Sequence, residues 1–167
     1  ANRAWGPIAH SGSVFCTVAG GANYSATSTD GLIWTEHSMA GSGNWQGLAY
    51  GAGLFVAVAF SGGSTCQTSP DGITWTVRSV PGFNYYGVTW TGSYFVAIGA
   101  GSDGAFSPDG IVWTAFTVPY STLWKDIVAF NGAALACTEG TTVGAYIYPT
   151  VSGVEDTLDN IVAEECL

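Results

Sequence analysis

Gly53-Leu54-Phe55-Val56-Ala57-Val58, a glycine turn followed by a β-branched and aromatic run, is one of four versions of the same phrase. The others are Gly12 with Ser13-Val14-Phe15-Cys16-Thr17-Val18, Gly92 with Ser93-Tyr94-Phe95-Val96-Ala97-Ile98, and Gly132 with Ala133-Ala134-Leu135-Ala136-Cys137. Their apolar pairs, Val14-Phe15, Leu54-Phe55, Tyr94-Phe95 and Ala134-Leu135, are 40 residues apart at each step. A fixed period of about 40 residues marks an array of one supersecondary unit, each copy burying its apolar face on its neighbours.

The second copy reads as four strands. Trp45 to Tyr50, Leu54 to Phe60, Thr65 to Pro70 and Ile73 to Val77 are strand-sized runs separated by Gly51-Ala52-Gly53, Ser61-Gly62-Gly63-Ser64 and Asp71-Gly72. No stretch of the repeat has helical periodicity, so each unit is predicted to be a four-stranded antiparallel meander. Asp-Gly recurs as Asp30-Gly31, Asp71-Gly72 and Asp109-Gly110. These are read as structural turns, two-residue type I′ loops with positive φ at both centre positions. The surrounding pattern is Ser28-Thr29-Asp30-Gly31-Leu32-Ile33-Trp34, Ser69-Pro70-Asp71-Gly72-Ile73-Thr74-Trp75 and Ser107-Pro108-Asp109-Gly110-Ile111-Val112-Trp113. Ser and Asp suit hydrogen bonds to the turn amides, and the Trp brings a large apolar area to clamp the hairpin onto the next sheet.

This pattern resembles the Asp-box, or bacterial neuraminidase, repeat of β-propellers, written Ser-x-Asp-x-Gly-x-Thr-Trp, with one residue missing between Asp and Gly. Preceded by Gly-x-Phe-Val-Ala-Val, the tighter form resembles repeats of bacteriophage tail and virion proteins and of bacterial surface proteins, over about residues 4–150. The resemblance implies an all-β fold, a small propeller of about four blades over residues 1–151, with repeats at about 4–40, 41–81, 82–120 and 121–151. The fourth repeat has lost the Asp-Gly signature. A closed four-bladed ring is the expected arrangement, and an incomplete arc completed by other subunits is its rival. The resemblance also implies a non-enzymatic virion subunit, a decoration or tail-associated protein assembled in the host cytoplasm with other virion subunits as partners. The alternative is a secreted or virion-borne glycan-binding lectin or adhesin.

Residues 152–167 differ from the repeats. Ser152-Gly153-Val154-Glu155 reads as a capping box. Val154, Leu158, Ile161 and Val162 then fall on one helical face. A C-terminal helix is therefore predicted, either folded on its own blade or acting as an assembly arm for a neighbouring subunit.

Composition narrows the function classes. Charged residues make up 9% and hydrophobic residues 47% of the 167, with net charge −9. A typical charged share is about 25%. So few charges leave part of the outside to be covered by neighbours, and a homo-oligomer is expected. Arg3, Arg78 and Lys125 are the only basic side chains. They form no cluster that could displace phosphate counterions, so nucleic acid is not an expected partner. No apolar run reaches the roughly 18 residues of a membrane span, so no membrane insertion is expected. The N-terminal Ala1-Asn2-Arg3-Ala4-Trp5 has no apolar signal core. Cys16, Cys66, Cys137 and Cys166 are scattered without a C-x-x-C and read as buried thiols.

No catalytic set stands out, so no enzyme is expected. The resemblance to sialidases would require an arginine triad, and the chain has two arginines. A glycosidase needs two carboxylates across a defined gap. Glu36, Asp103, Asp126 and Glu139 are the candidates outside the turns, and none shares a repeat position with another. His10 occupies the place of Tyr50, Trp90 and Phe130 by the 40-residue count, a packing position, and His37 is placed in solvent. Metal spacing and phosphate loops are missing, so neither a metal nor a cofactor is expected. Trp5, Trp45, Tyr85 and Trp124 recur near the start of each repeat and are the candidate glycan-binding residues, with blade-to-blade core as the competing role.

Overall fold

The computed structural model describes residues 2–61, 63–82, 84–138, 143–148 and 160–165. Twelve strands, and no helix among the described residues, build four consecutive blades. Blade 1 contains β1 (Trp5–His10), β2 (Phe15–Ser28) and the first half of β3 (Thr35–Gly51). In β2, Phe15–Ala19 lies against β1 and Tyr24–Thr27 against β3. Gly21, at φ +71°, sits between these two legs. Blade 2 takes the second half of β3, then β4 (Leu54–Ala59), β5 (Thr65–Ser69) and β6 (Thr76–Ser79). Blade 3 has β7 (Tyr85–Trp90), the two-legged β8 (Phe95–Ser107) and the first half of β9 (Thr114–Phe130). Blade 4 has the second half of β9, β10 (Ala133–Thr138), β11 (Val143–Tyr148) and β12 (Asn160–Glu165). All pairings are antiparallel between neighbours in sequence.

The period survives in atomic detail. Gly20 N–H donates to Ala4 O, Phe60 N–H to Asn44 O and Ala100 N–H to Asn84 O, at 2.9–3.0 Å. Each innermost strand also breaks register just after its first aromatic, Trp5, Trp45, Tyr85 or Trp124. Such bulges have a purpose that the sequence makes plain. Alternation along a strand would send Trp45 and Leu48, three residues apart, to opposite faces. The extra residue of a bulge returns them to one face, and both join the same core cluster.

Each joint between blades holds one core. Cys16 and Val18 of blade 1 pack with Trp45, Leu48 and Phe55 of blade 2. Val56, Val58 and Cys66 of blade 2 pack with Tyr85, Val88 and Phe95 of blade 3. Val96, Ile98 and Phe106 of blade 3 pack with Trp124, Ile127 and Ala134 of blade 4. Every blade thus has a trailing face, offered to the blade after it, and a leading face, set on the blade before it.

Three readings of the sequence need correction here. The Asp-Gly turns are not two-residue type I′ loops: strand residues stop at Ser28, Ser69 and Ser107 and resume at Thr35, Thr76 and Thr114. The glycines have φ of +74° to +76°, and no Asp of the three is among the positive-φ residues. Side-chain hydrogen bonds, described below, hold a longer loop instead. Second, the strand register equates His10, Tyr50 and Trp90 with Ala129, not Phe130. Each of the first three lies opposite a Phe, while Ala129 lies opposite Ala134. The paired residues are five apart in all four blades, so the offset enters earlier, where Tyr85 to Trp124 spans 39 residues against 40 for the two steps before it.

Third, residues 160–165 are not helical. Asn160–Glu165 pairs with Val143–Tyr148, Ile161 opposite Ile147 and Val162 opposite Tyr146, as the outer strand of blade 4. An isolated helix of that length is marginal in water, whereas a blade edge offers hydrogen bonds at every second residue. Val154 and Leu158 lie outside the described residues.

Candidate functional site

The most conspicuous local constructions are the three Asp loops. In the second, Ser69 Oγ accepts from Asp71 N–H and Gly72 N–H at 3.3 and 2.8 Å, and its hydroxyl donates to Asp71 Oδ1 at 2.9 Å. Asp71 Oδ1 also accepts from Ile73 N–H and Thr74 N–H, both at 2.8 Å, and Trp75 Nε1–H donates to Gly72 O. The first and third loops repeat this with Ser28, Asp30 and Gly31 and with Ser107, Asp109 and Gly110. Partial burial pushes Asp71 and Asp109 upward, but the amides and the serine hydroxyl outweigh it and hold both below the usual carboxylate range. Asp30 is lowered by the amides of Ile33 and Leu32 and the Ser28 hydroxyl. Oδ1 of each takes three hydrogen bonds within its loop, so these carboxylates work as clips.

A channel is the second feature. Among the described residues the innermost segments Trp5–His10, Trp45–Gly51, Tyr85–Trp90 and Trp124–Phe130 ladder on one side, with β2, β4, β8 and β10. Their other edges converge on a cavity of about 500 Å³, lined among others by Pro7, Gln46, Tyr86, Lys125 and Asp126. Glycines let these edges draw together. A Cβ on Gly47 would lie 2.9 Å from Val88 N and 2.7 Å from Val58 Cγ2, and one on Gly87 would lie 2.9 Å from Ile127 Cγ2. At the mouth, Tyr86 stacks on Phe60 at 4.6 Å and carries Lys125 Nζ 4.1 Å from its ring centre. This stack joins blades 2, 3 and 4. Asp126 Oδ1 accepts the N–H of Ile127 at 2.9 Å.

The third feature is the pair of end faces. Trp5 is 39% exposed, against 2% for Trp45 and Tyr85 and 0% for Trp124. Ile8 is 59% exposed, against 7% for Leu48, Val88 and Ile127. At the other end of the row, Val128 and Phe130 of blade 4 are 58% and 56% exposed. The joint that would close the four blades into a ring is therefore missing among the described residues. The open arc is what these exposures describe.

The candidate glycan-binding residues are placed accordingly. Trp45, Tyr85 and Trp124 are buried in the three joints and cannot stack on a sugar; burial of so large an apolar surface is what stabilises each joint. Trp5 alone reaches solvent, so the four are not gathered into one pocket. Histidines stay out of the channel: His10 lies against Phe15, its Nδ1 accepting Gly12 N–H, and His37 Nε2 sits 2.8 Å from Thr27 Oγ1. Glu36 is paired with Arg3 at 3.0 Å, far in the fold from Asp126, and Glu139 lies outside the described residues. Cys16 and Cys66 are free and buried, each thiol pushed up to about 12 by loss of water. Cys137, expected inside, is exposed because it belongs to the trailing face of blade 4, which has no next blade to cover it. Cys166 lies outside the described residues. Among the described residues no group of three or more metal-ligating side chains gathers.

No family model matches the chain, and no curated protein does. Solved structures match strongly in shape and weakly in sequence. A catalytically inactive histidine-to-alanine form of virginiamycin B lyase from Staphylococcus aureus, with quinupristin, superposes at TM-score 0.81 and 14% identity, covering 98% of this chain and 56% of that one. YCF48 bound to D1 peptide gives 0.69 and 11%, covering 98% and 53%. A nidogen/laminin complex gives 0.65 and 13%, covering 84% and 58%. The chain spans little more than half the length of each. The expectation of a bacteriophage virion subunit is overturned by these findings: the leading neighbours are lyases, and no virion protein is indicated. Of the four aromatics named for a lectin, three are core and Trp5 alone is exposed. Neighbours include enzymes, at identities that carry fold alone. What the likeness establishes is architecture: this all-β chain has the β-propeller fold.

Proposed function

We propose that the chain is a non-catalytic recognition module that holds an extended protein segment along its channel. The observation that carries this reading is the convergence on one cavity of four strand edges, each with a ladder partner on one side among the described residues. An extended segment adds to such an edge through main-chain hydrogen bonds, and side-chain pockets supply the selectivity. Tyr86, Lys125 and Asp126 line that cavity and would supply its side-chain contacts. Two of the similar propellers are solved as complexes, YCF48 with a peptide and nidogen with laminin, which supports the reading.

Catalysis finds less support. One inactive form of the neighbouring lyase is a histidine-to-alanine variant, whereas both histidines of this chain are engaged away from the channel. The buried thiols at about 12 are unreactive at neutral pH. A general base with a partner to orient it is what acyl or proton-transfer chemistry requires, and Asp126 is bonded to its own neighbouring amide.

A displayed library of extended peptides tests the proposal. Selected peptides should bind wild type and lose about tenfold or more on Tyr86→Ala or Lys125→Ala, with circular dichroism unchanged. Selected peptides indifferent to both substitutions would refute the channel as the site. Turnover of virginiamycin B, followed by mass spectrometry and lost on Asp126→Asn, would refute the non-catalytic reading.

A further inference from the structure

We infer that the two end faces of the arc are the two halves of a blade joint, and that their occupant is a second copy of this chain. The inference goes beyond the channel reading and does not depend on it. Three joints inside the chain define what a joint is: the trailing face of one blade against the leading face of the next. Among the described residues one face of each kind is uncovered, and they are not alike. Blade 1 offers the leading kind, Trp5 and Ile8, with Trp34 beside them around a concavity of about 460 Å³. Blade 4 offers the trailing kind, Val128, Phe130 and Leu135, at the register positions of Ala49, Gly51 and Val56.

Residue sizes fit the same joint. Within the chain, Gly51 faces Trp90, so closely that an added Cβ would sit 2.2 Å from the indole. In the proposed joint the trailing position is Phe130 and the incoming position, equivalent to Trp90, is the smaller His10. A large residue has replaced the glycine where a smaller ring comes in. Loop glycines tell the same story. A Cβ on Gly72 would meet Thr27 and Cys16 of the preceding blade at 2.8 and 3.0 Å, while one on Gly31 would meet only Phe15 of its own blade at 4.0 Å.

Two unlike faces on one chain make a heterologous contact, which closes into a ring when the rotation allows. A two-fold axis along the channel uses the contact twice and gives eight blades. The arc covers 53–58% of the three propeller chains it superposes on, so a ring of that kind has room for about three to four further blades beside it.

Light scattering or native mass spectrometry of the intact chain tests this. The expected mass is twice 17.2 kDa. Ile8→Asp and Phe130→Asp should each weaken the dimer about tenfold or more. Both side chains stand in solvent in the single arc, so the melting curve of the monomer should not change. Mixing Ile8→Lys with Phe130→Asp should restore a dimer containing one copy of each. A monomer at every concentration, which is also what blades from another protein or from further chain would leave, overturns the inference. So does another copy number, or a dimer indifferent to both substitutions.

Discussion

Trp5 and Trp45 begin the same phrase, precede the same bulge and point to the same face of their blades, yet one is in solvent and the other in a core. The difference lies wholly in what comes before. Trp45 and Leu48 land on Cys16 and Val18, while Trp5 and Ile8 land on nothing among the described residues. Stability in a repeat array is a property of joints, each a nearest-neighbour term, more than of the units they connect. A side chain can thus be identical in sequence context and opposite in energetic weight.

The largest test of this contrast is truncation of the two tryptophans. Trp45→Ala should cost about 3–5 kcal/mol in chemical denaturation, as for a buried aromatic, and Trp5→Ala in the isolated arc about 1 kcal/mol or less. Equal losses would mean that Trp5 is covered after all. Next come the loop glycines. Gly31→Ala and Gly72→Ala both force a left-handed residue, at about 1–2 kcal/mol. Gly72→Ala also drives a methyl into Thr27 and Cys16, so it should be the worse by about 1–3 kcal/mol. If the melting temperatures fall equally, the joint at Gly72 is looser than it looks.

A smaller effect belongs to Ser25, whose hydroxyl donates to Gly72 O at 2.8 Å and accepts from Trp75 Nε1–H at 3.0 Å across the first joint. Ser25→Ala should destabilise by about 1–2 kcal/mol. Trp34 donates to Gly31 O within its own loop and shows no cross-blade hydrogen bond among the described residues. The smallest effect is on pH. Asp71 and Asp109 are held below their ordinary value when folded. A lowered carboxylate contributes stability above its unfolded value, near 4, and loses it as pH falls through the folded value. Melting temperature should therefore be flat from neutral pH to about 5 and decline below about 4. Asp71→Asn should flatten part of that decline, and an unchanged slope would show that the clip is not the titrating element.

Much of the repeat is legible in the sequence because its determinants are local. The hydrogen bonds of Asp71 Oδ1 come from Ser69, Ile73 and Thr74, all within the motif, so the loop can be recognised without knowing what surrounds it. The turn geometry within that motif was less so, because Asp-Gly also fits a tighter hairpin and only the side-chain bonds decide. Register in blade 4 is not legible from a 40-residue count, since the step from Tyr85 to Trp124 is one residue short and every later position slips with it. The spacing of Val154, Leu158, Ile161 and Val162 fits a helix, but a strand edge at Val143–Tyr148 competes for the last two. Nor could the sequence tell Trp5 from Trp45, because burial there depends on a neighbouring blade and not on the phrase. The channel was equally hidden: its lining residues come from four strands some 40 residues apart, and its useful groups are backbone edges, which every residue has.

Strand β3 serves blade 1 with its first half and blade 2 with its second, and β9 does the same for blades 3 and 4. Between blades 2 and 3 no strand is shared: β6 ends at Ser79 and β7 begins at Tyr85, with Val80 N–H donating to Ser64 O and the Tyr85 hydroxyl donating to Pro81 O. Under tension from its two ends the molecule would not yield blade by blade. A ladder torn from one half of β3 loosens the other half, so blades would fail in couples. A force–extension trace should then show two large steps of about eighty residues rather than four of about forty, with the first break at the one crossing where no strand is shared.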